Sequence, residues 1–436
     1  MSQEEFAIPP EHAATLVDPR AYADGRVEET YTWLRANQPL GLASPKGFDP
    51  FWVVTRFDDV REISRDNKRF PYGARRSTLT DKASDDFVRA MANGRPNAGG
   101  RSLISTDPPE HMKYRLLTQS WFMPKHLKTL TEQIGAIADK SVAKLRSRNK
   151  CDFVEDIALY YPLEVVMLIL GVPETDLPFM LRLTQEVFAP LDPDSMPAGI
   201  DPSDPSAMAL ALKSTTEQLE RYFSKITEDR RANPRNDIAS IIANATIDGQ
   251  PMSPADMLGY YAIIATAGHD TTSSSTSAAM YALATQPEMF RRVKADPTLI
   301  PKLVEEAIRW ASPVKTFMRS PTERVEYGGR VFEPNDWLML CYASANRDEA
   351  VFDHGERFDI DRPKSDHLAF GFGPHVCLGQ HLARREMIML FERLLPALKS
   401  VEIDGEPKMT ESFFVSGLKS LPIRYELENA PVSAPV

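Results

Sequence analysis

The sequence predicts a mainly α-helical fold with small β-sheets. Helical periodicity dominates residues 110–171, and one long helix is expected over residues 253–286. A further strongly helical run spans residues 378–395. Strand signals are short by comparison, and the apolar, β-branched stretch 51–57 is the first of them. Long helices with a few short strands indicate an α-dominated class.

The residues at its two ends support the prediction of a long central helix. Ser253 can cap its first turn, Pro254 suits the first helical position, and Asp256 can complete a capping box. Pro287 then stops the helix after residue 286. Such an element is about nine turns long at roughly 3.6 residues per turn.

Two strand signals and a helix stop follow. Residues 325–327 and 330–332 flank a Gly-Gly pair, which predicts a tight β-hairpin. Residues 337–342 form another expected strand, and Pro396 should end the last long helix. The sheets predicted in this half are therefore small.

No break in composition divides the chain, so we expect a single domain over 1–436 with flexible ends at 1–20 and 428–436. Residues 71–101 are polar and rich in Gly, Arg and Asn, which predicts a loop with one short helix at most. Residues 189–206 hold five prolines and four aspartates, which predicts an exposed loop or mobile lid.

Composition excludes several classes of protein. A net charge of −10 argues against a general nucleic-acid-binding surface. The first residues are acidic, unlike a secretory signal, and the apolar stretch 165–172 is too short to span a membrane. Three widely spaced cysteines suit a reducing compartment. We expect a cytoplasmic monomer.

One cysteine stands directly before a predicted helix. Gly371, Gly373 and Pro374 make a structured turn ahead of Cys377, and Gly379 leaves room for a bulky group near the first helical turn. Unpaired N–H groups and the helix dipole at this position stabilise a thiolate, which suits a haem iron ligand. The alternative is a buried structural cysteine, and that is the interpretation favoured for the other two, Cys151 and Cys341.

The long helix carries a polar break. It is largely apolar up to Ala267 and then reads GHDTTSSS over residues 268–275. Small hydroxyl side chains in mid-helix bond back to carbonyls of the preceding turn, and beside a glycine they favour a bend. The break predicts a small polar groove; the alternative is a close helix–helix contact through small residues.

These motifs together resemble the cytochrome P450 superfamily. Phe370, Gly373, Cys377 and Gly379 match its haem-binding signature F-x-x-G-x-x-x-C-x-G, and residues 267–272 resemble its oxygen-binding motif. The resemblance implies the P450 fold, with haem b between the long central helix and the cysteine loop. It also implies that Cys377 binds the iron, and it makes Thr271 and Asp270 the catalytic pair: the threonine hydroxyl assists oxygen activation and the acid relays protons.

The resemblance extends to further cofactor and structural residues. Residues expected to contact the haem or its propionates are His111, Arg115, Ala267, Arg319, Phe370, Gly371, His375 and Gly379. Glu306 and Arg309, three apart on a helix, resemble the family's E-x-x-R element, with Arg362 as the third partner. Taken alone, that pair would be an ordinary surface ion pair; within the family its role is structural.

Residues expected to line a substrate pocket are mostly small or apolar. They are Ile263, Thr266, Ala267, Val314, Thr316, Phe317, Phe414 and Val415. Such walls predict a small hydrophobic substrate, a monoterpenoid or an alkyl-substituted aromatic compound.

A local basic stretch suggests a redox partner. Residues 111–131 contain no acid but hold Lys113, Arg115, Lys125 and Lys128. The stretch could be an ordinary solvated helix. The functional interpretation is a dock for an acidic [2Fe-2S] ferredoxin, itself reduced by a flavin-dependent reductase.

Within the superfamily, the resemblance is strongest to bacterial α-terpineol hydroxylases. This similarity is seen in four stretches of the sequence, AGHDTTSSS, ALYYPLEVVM, SANRDEAVF and FMRS. It implies hydroxylation with dioxygen and electrons from NAD(P)H. Two alternatives stay open: a peroxide-driven haem-thiolate peroxygenase, against which the Asp270–Thr271 pair argues, and a non-enzymatic haem sensor. The absence of C-x-x-C-H excludes a c-type electron carrier.

Overall fold

A computed structural model describes residues 3–72, 75–91, 102–188, 192–196, 205–363 and 366–428. Helices dominate these residues, as the sequence predicts. The α-helices, α1 to α18 in chain order, are Pro10–Leu16, Pro19–Ala23, Arg26–Asn37, Phe57–Arg65, Lys82–Met91, Glu110–Thr118, Pro124–Leu127, Thr131–Ala143, Tyr160–Leu170, Leu177–Phe188, Pro205–Ala232, Ile238–Ala243, Pro254–Ala267, Asp270–Thr285, Pro287–Ala295, Ile300–Ala311, Tyr342–Ala345 and Gln380–Ala397.

The strands are short and form small sheets. In chain order, β1 to β13 are Leu40–Ala43, Phe51–Val54, Lys150–Asp152, Thr246–Ile247, Gln250–Pro251, Thr316–Arg319, Val325–Tyr327, Arg330–Phe332, Leu338–Cys341, Leu398–Ile403, Lys408–Met409, Leu418–Ser420 and Pro422–Leu427. The largest sheet has the order β1-β2-β9-β6, and a second has the order β10-β13-β3. Strand β9 runs parallel to β2, with Trp52 opposite Leu338. The predicted hairpin is β7–β8, and Gly328 and Gly329 in its turn both have positive φ.

Buried apolar side chains from α8, α9, α14, α16 and α18 form the main core. Ile134, Leu303 and Leu390 are completely buried there. A second core packs the N-terminal helices against the largest sheet. The main core holds α14 and α18 in fixed positions, and these two helices supply opposite walls of the site described below.

The N-terminal end is ordered, contrary to the expectation for residues 1–20. From Gln3 onward the chain forms a 3₁₀ turn and helices α1 and α2. Ala13 and Leu16 are buried in the second core, and Ile8 N–H donates to the Leu42 carbonyl at 3.0 Å. Burial of these apolar side chains fixes the segment. Residues 1–2 and 429–436 lie outside the described residues.

The predicted central helix is interrupted, and the last long helix is longer than expected. Helix α13 ends at Ala267 and α14 begins at Asp270, so Gly268 and His269 break the element. The predicted cap is present, because Ser253 accepts the Asp256 N–H. Helix α18 continues through Pro396 to residue 397. A proline so close to a helix end removes only one N–H donor.

The two predicted loops differ from each other. Helix α5 is the short helix within residues 71–101, of which 73–74 and 92–101 lie outside the described residues. Of residues 189–206, the structure describes 192–196 and the start of α11. Asp192 is fully buried and binds Lys419, so this part of the predicted exposed loop is tied to strand β12.

Glu306, Arg309 and Arg362 form the expected cluster, and it is buried. Arg309 donates to both Glu306 carboxylate oxygens at 2.7 Å, and Arg362 Nε donates to Glu306 Oε1 at 3.0 Å. Arg309 also donates to the Asn346 carbonyl, and the Asn346 side chain accepts the Leu368 N–H at 2.7 Å. The cluster is therefore connected to the segment that leads into the cysteine loop.

Candidate active site

The cysteine loop is shaped by glycines at positions that other residues could not occupy. Gly371 and Gly373 have φ of 69° and 76°, in the left-handed region. A Cβ on Gly373 would lie 2.8 Å from Arg65 Cα and 2.9 Å from the Ser64 carbonyl oxygen. Since both neighbours are backbone atoms, only glycine fits there. The loop ends with the Cys377 N–H donating to the Phe370 carbonyl at 2.8 Å.

Cys377 faces a cavity at the N-terminal end of α18. Burial raises the pKa of its thiol, and the N–H groups of Gly379 and Gln380, with Arg115 and Arg384, oppose that rise. A Cβ on Gly379 would be in van der Waals contact with the sulfur, at 3.9 Å, so glycine at this position keeps the space beside the thiol clear. Because burial prevails, the protein alone disfavours the thiolate, and a bound cation would stabilise it.

The break between α13 and α14 forms the opposite wall. Thr271 Oγ1 donates to the Ala267 carbonyl at 2.9 Å, the back-bonding that the run of hydroxyl residues predicts. Gly268 permits close packing of the break, because a Cβ there would lie 2.9 Å from Val166 Cγ2. Thr271, Ala267 and Cys377 all line the same cavity.

This cavity brings together most of the predicted site. The expected cofactor and pocket residues that line it are His111, Arg115, Ile263, Ala267, Thr271, Val314, Phe317, Phe370, Gly371, His375, Cys377, Gly379 and Phe414. Leu103, Ile104, Phe122 and Leu382 add apolar walls that the sequence did not single out.

Three predicted pocket residues lie elsewhere. Thr266 and Thr316 are buried away from the cavity, where their hydroxyls donate to the carbonyls of Ala262 and Phe413. Side chains alternate along β6, so Phe317 faces the cavity and its neighbour does not. Val415 lines a second, polar cavity.

Asp270 is also absent from this cavity and lines the polar one. Successive residues on a helix are about 100° apart, which separates Asp270 from Thr271. Burial raises the pKa of the Asp270 carboxyl, an effect that the neighbouring His269 opposes. The predicted acid–alcohol pair therefore spans two cavities.

One end of the first cavity is lined by basic side chains. The His111 and His375 rings lie 4.2 Å apart, and His111 Nδ1 and His375 Nε2 have no hydrogen-bond partner among the described residues. Burial, together with His375 and Arg115, lowers the pKa of His111 to about 4. His375 Nε2 also lies 3.7 Å from Asp107 Oδ1, which leaves His111 Nδ1 and the nearby Arg115 to bind an anionic group such as a carboxylate.

Arg319 is placed behind this end and not in its wall. Its guanidinium stacks on the Tyr72 ring at 3.5 Å and donates to the Asn67 side chain and the Phe70 carbonyl. Tyr72 itself lines the cavity. Arg319 itself does not line the cavity, and its buried Nε has no hydrogen-bond partner among the described residues.

Glu386 is a cavity residue that the sequence did not reveal. It lies on α18 and is 2% exposed, and its Oε2 has no partner in the described part of the chain. Burial raises the pKa of its carboxyl well above the usual range, while a hydrogen bond with Thr272 opposes the rise. Because Glu386 follows two arginines, the local pattern resembles that of a solvated helix face.

A thiol at a helix N-terminus, a basic end and apolar walls around one cavity define a haem-thiolate site. The chain belongs to the cytochrome P450 family, whose model matches residues 72–427. It is a cytochrome P450 monooxygenase and binds haem b, as members of this family do.

Individual relatives resemble the chain over almost its whole length. It is 44% identical to Cytochrome P450-terp from Pseudomonas sp, over 95% of this chain and 98% of the relative. It is 30% identical to a linalool 8-monooxygenase of Pseudomonas putida, over 93% and 97% of the two chains. The crystal structure of CYP108D1 from Novosphingobium aromaticivorans superposes with a TM-score of 0.88 at 42% identity, covering 97% of this chain and all of that one. Within the described residues, no helix is both long and apolar enough to cross a bilayer.

Proposed function

We propose that this enzyme hydroxylates a small hydrophobic compound of monoterpenoid or alkylbenzene type. It would use dioxygen and electrons from NAD(P)H, delivered by a flavin-dependent reductase and a [2Fe-2S] ferredoxin. The observation that carries the proposal is one cavity with Cys377 on one wall and Thr271 on the other, and with apolar side chains between them.

The residues present fit haem b. Cys377 would be the iron ligand, and Gly371 and Gly379 would let the ring approach the loop. His111, Arg115 and His375 would hold the propionates, since all three line the cavity and carry nitrogen atoms that can donate to a carboxylate. When bound, the haem supplies oxygen activation, which a thiolate ligand promotes.

Thr271 would order the proton supply inside the cavity. The Thr271 hydroxyl donates a hydrogen bond to the Ala267 carbonyl oxygen, with an O···O distance of 2.9 Å. Its lone pairs are therefore free to accept a hydrogen bond from a water. Asp270, with its raised pKa, would hold and release protons on the other face of α14. Positioned groups of this kind contribute about 10²–10⁴-fold to a proton-transfer step.

The walls support a small apolar substrate. Ile263, Ala267, Val314, Phe317 and Phe414 surround the space in front of the thiol, and none of them offers a charged group. A relative named for linalool, a monoterpene alcohol, supports the terpenoid class. The substrate would be held by shape and apolar contact.

A mixed apolar and basic surface on and after α6 supports ferredoxin docking. Met112 and Leu116 are exposed by 40% and 62%, and Lys125 and Lys128 are exposed beyond the end of α6. Lys113 binds Glu110 and Asp248, so its charge is largely compensated. Exposed apolar and basic side chains within one stretch of the chain suit an acidic protein partner.

The experiment is a ligand panel followed by turnover. Purified enzyme is titrated with monoterpenes, alkylbenzenes and a sterol, and substrate-induced shifts of the haem Soret band are recorded. Each binder is then incubated with NAD(P)H, reductase and ferredoxin, and the hydroxylated product is measured. The proposal requires binding and ferredoxin-dependent hydroxylation of a small terpenoid or alkylbenzene. Turnover of the sterol alone, or turnover with peroxide but not with ferredoxin, would contradict it.

A further inference from the structure

An ion pair joins α16 to α18 beside the cysteine loop. Arg384 donates to both carboxylate oxygens of Glu305, from Nε at 2.8 Å and from Nη2 at 2.6 Å. Against the effect of burial, the bonds from Arg384 hold the pKa of Glu305 at about 2, so the carboxylate is charged at neutral pH. The pair is therefore one positive and one negative charge held in a fixed, two-bond geometry.

The cation of this pair contacts residues on both sides of Cys377. The Arg384 guanidinium lies over the Phe370 ring, 4.3 Å from its centroid, and Nη1 donates to the Gln380 side-chain oxygen at 3.2 Å. The Phe370 carbonyl accepts the Cys377 N–H at 2.8 Å. The Gln380 N–H and Arg384 itself both oppose the rise in pKa that burial causes in the Cys377 thiol. The positive charge of Arg384 therefore acts on the sulfur.

A third side chain approaches the carboxylate without adding charge. His367 Nε2 lies 3.1 Å from Glu305 Oε1. His367 Nδ1 accepts the Ala369 N–H at 3.2 Å, so this nitrogen carries no hydrogen and the ring is neutral. The charge balance behind the thiol therefore depends on Glu305 and Arg384.

The two members of the pair have opposite effects on reduction of the haem. One electron from the proposed ferredoxin, which is oxidised in the same step, converts ferric to ferrous iron and adds one negative charge to the site. A fixed positive charge nearby stabilises the reduced form and raises the reduction potential, and a fixed negative charge lowers it. The surroundings of the ligand sulfur are one of the means by which a protein sets this potential.

We propose that the Glu305–Arg384 pair sets the electron donation of the Cys377 thiolate and thereby the reduction potential of the haem, with Arg384 raising the potential and Glu305 attenuating that effect. Both residues act through Cys377, and neither lines the haem cavity. This inference rests on the proposed role of Cys377 as the iron ligand. A purely structural ion pair between α16 and α18 predicts no opposition between its two members.

The test is a redox titration of the substrate-free, haem-loaded enzyme with dithionite and mediator dyes. It uses neither ferredoxin nor substrate, so its outcome does not depend on the identity of either. Titrations are run at about pH 8, roughly 3.7 units above the ordinary pKa of a glutamate, to keep the carboxylate ionised in Arg384→Gln. Arg384→Gln should lower the potential, and Glu305→Gln should raise it. The double variant should lie close to wild type, because both charges are then absent.

The matched control is Arg393, a second arginine on α18. Its side chain is 30% exposed, against 28% for Arg384, and it donates to Asp139 at 2.9 Å. At about 3.6 residues per turn, it lies roughly 2.5 turns further from the cysteine loop. Arg393→Gln should leave the potential at the wild-type value. Arg384→Lys keeps the charge but loses the two-bond geometry, so its potential should stay closer to wild type than that of Arg384→Gln.

The signs of the shifts decide the outcome. Shifts of Arg384→Gln and Glu305→Gln in the same direction, or shifts no larger than that of Arg393→Gln, overturn the inference. If one of the two variants does not retain haem, the sign of the other decides. Loss of haem from both would make the pair a structural brace and would also overturn the inference.

The carbon monoxide complex of the reduced wild type separates this inference from the ligand assignment on which it rests. If wild type lacks the red-shifted Soret band of a thiolate-ligated haem, the role of Cys377 fails, and the inference fails with it. If the band is present and the potentials of Arg384→Gln and Glu305→Gln do not move apart, the ligand assignment stands and only the inference about the pair is overturned.

Discussion

Removal of the Glu306 carboxylate should destabilise the region around the cysteine loop strongly. Glu306 accepts from Arg309 twice at 2.7 Å, from Arg362 at 3.0 Å and from the Asp359 N–H at 2.8 Å. Arg309 is 0% exposed, so Glu306→Ala leaves a buried cation uncompensated. Breaking one partner of a buried ion pair typically costs about 3–5 kcal/mol.

The chain offers a matched control for this change. Glu288 and Arg291 have the same three-residue spacing on a helix, but their side chains are 76% and 65% exposed. Exposed pairs of this kind contribute about 0–1 kcal/mol. Urea unfolding should therefore show a large loss of unfolding free energy for Glu306→Ala and little change for Glu288→Ala.

Haem retention gives a second measurement on the same variants. Arg309 is joined to Leu368 through Asn346, so loss of the cluster should loosen the cysteine loop and lower the haem content after gel filtration. Equal unfolding free energies and equal haem content for Glu306→Ala and Glu288→Ala would refute the structural role given to the cluster.

Three further predictions concern turnover. Thr271→Ala should keep substrate affinity and NAD(P)H consumption but divert electrons to hydrogen peroxide, measured as product formed per NAD(P)H; full coupling would contradict its proton-handling role. Ala267→Leu should weaken binding of monoterpene-sized ligands in the Soret titration while carbon monoxide still binds, since each methylene is worth ~1–3 kcal/mol of discrimination. Lys125→Glu with Lys128→Glu should slow ferredoxin-dependent reduction at low salt more than Lys113→Glu does, because Lys113 is already paired. Unchanged reduction rates in the double variant would show that ferredoxin binds at a different surface.

The sequence predicted the local elements of the site well. The glycine-shaped loop before α18 and the hydroxyl-rich break after Ala267 are local features, and turn chemistry or side-chain back-bonding reveals each of them. The buried cluster at Glu306 was predicted from a spacing and a family pattern. Its burial could not be seen, since exposed pairs have the same spacing.

What the sequence missed depends on tertiary packing. Asp270 and Thr271 are adjacent in the chain, and only the packing of α14 assigns them to different cavities. Arg319 stacks on Tyr72, whose position no local pattern predicted. Leu16 orders the N-terminal end because the second core covers it. Such contacts join residues that are far apart in sequence, so neither periodicity nor local motifs can predict them.

The central claim is that Cys377 ligates the iron as a thiolate, and the carbon monoxide complex of the reduced enzyme tests it most directly. Wild type should show the strongly red-shifted Soret band of a thiolate-ligated haem. Cys377→His should bind haem but lose that band. Cys151→Ala and Cys341→Ala should keep it, because neither of these cysteines lines the haem cavity. A red-shifted band in Cys377→His would contradict the account.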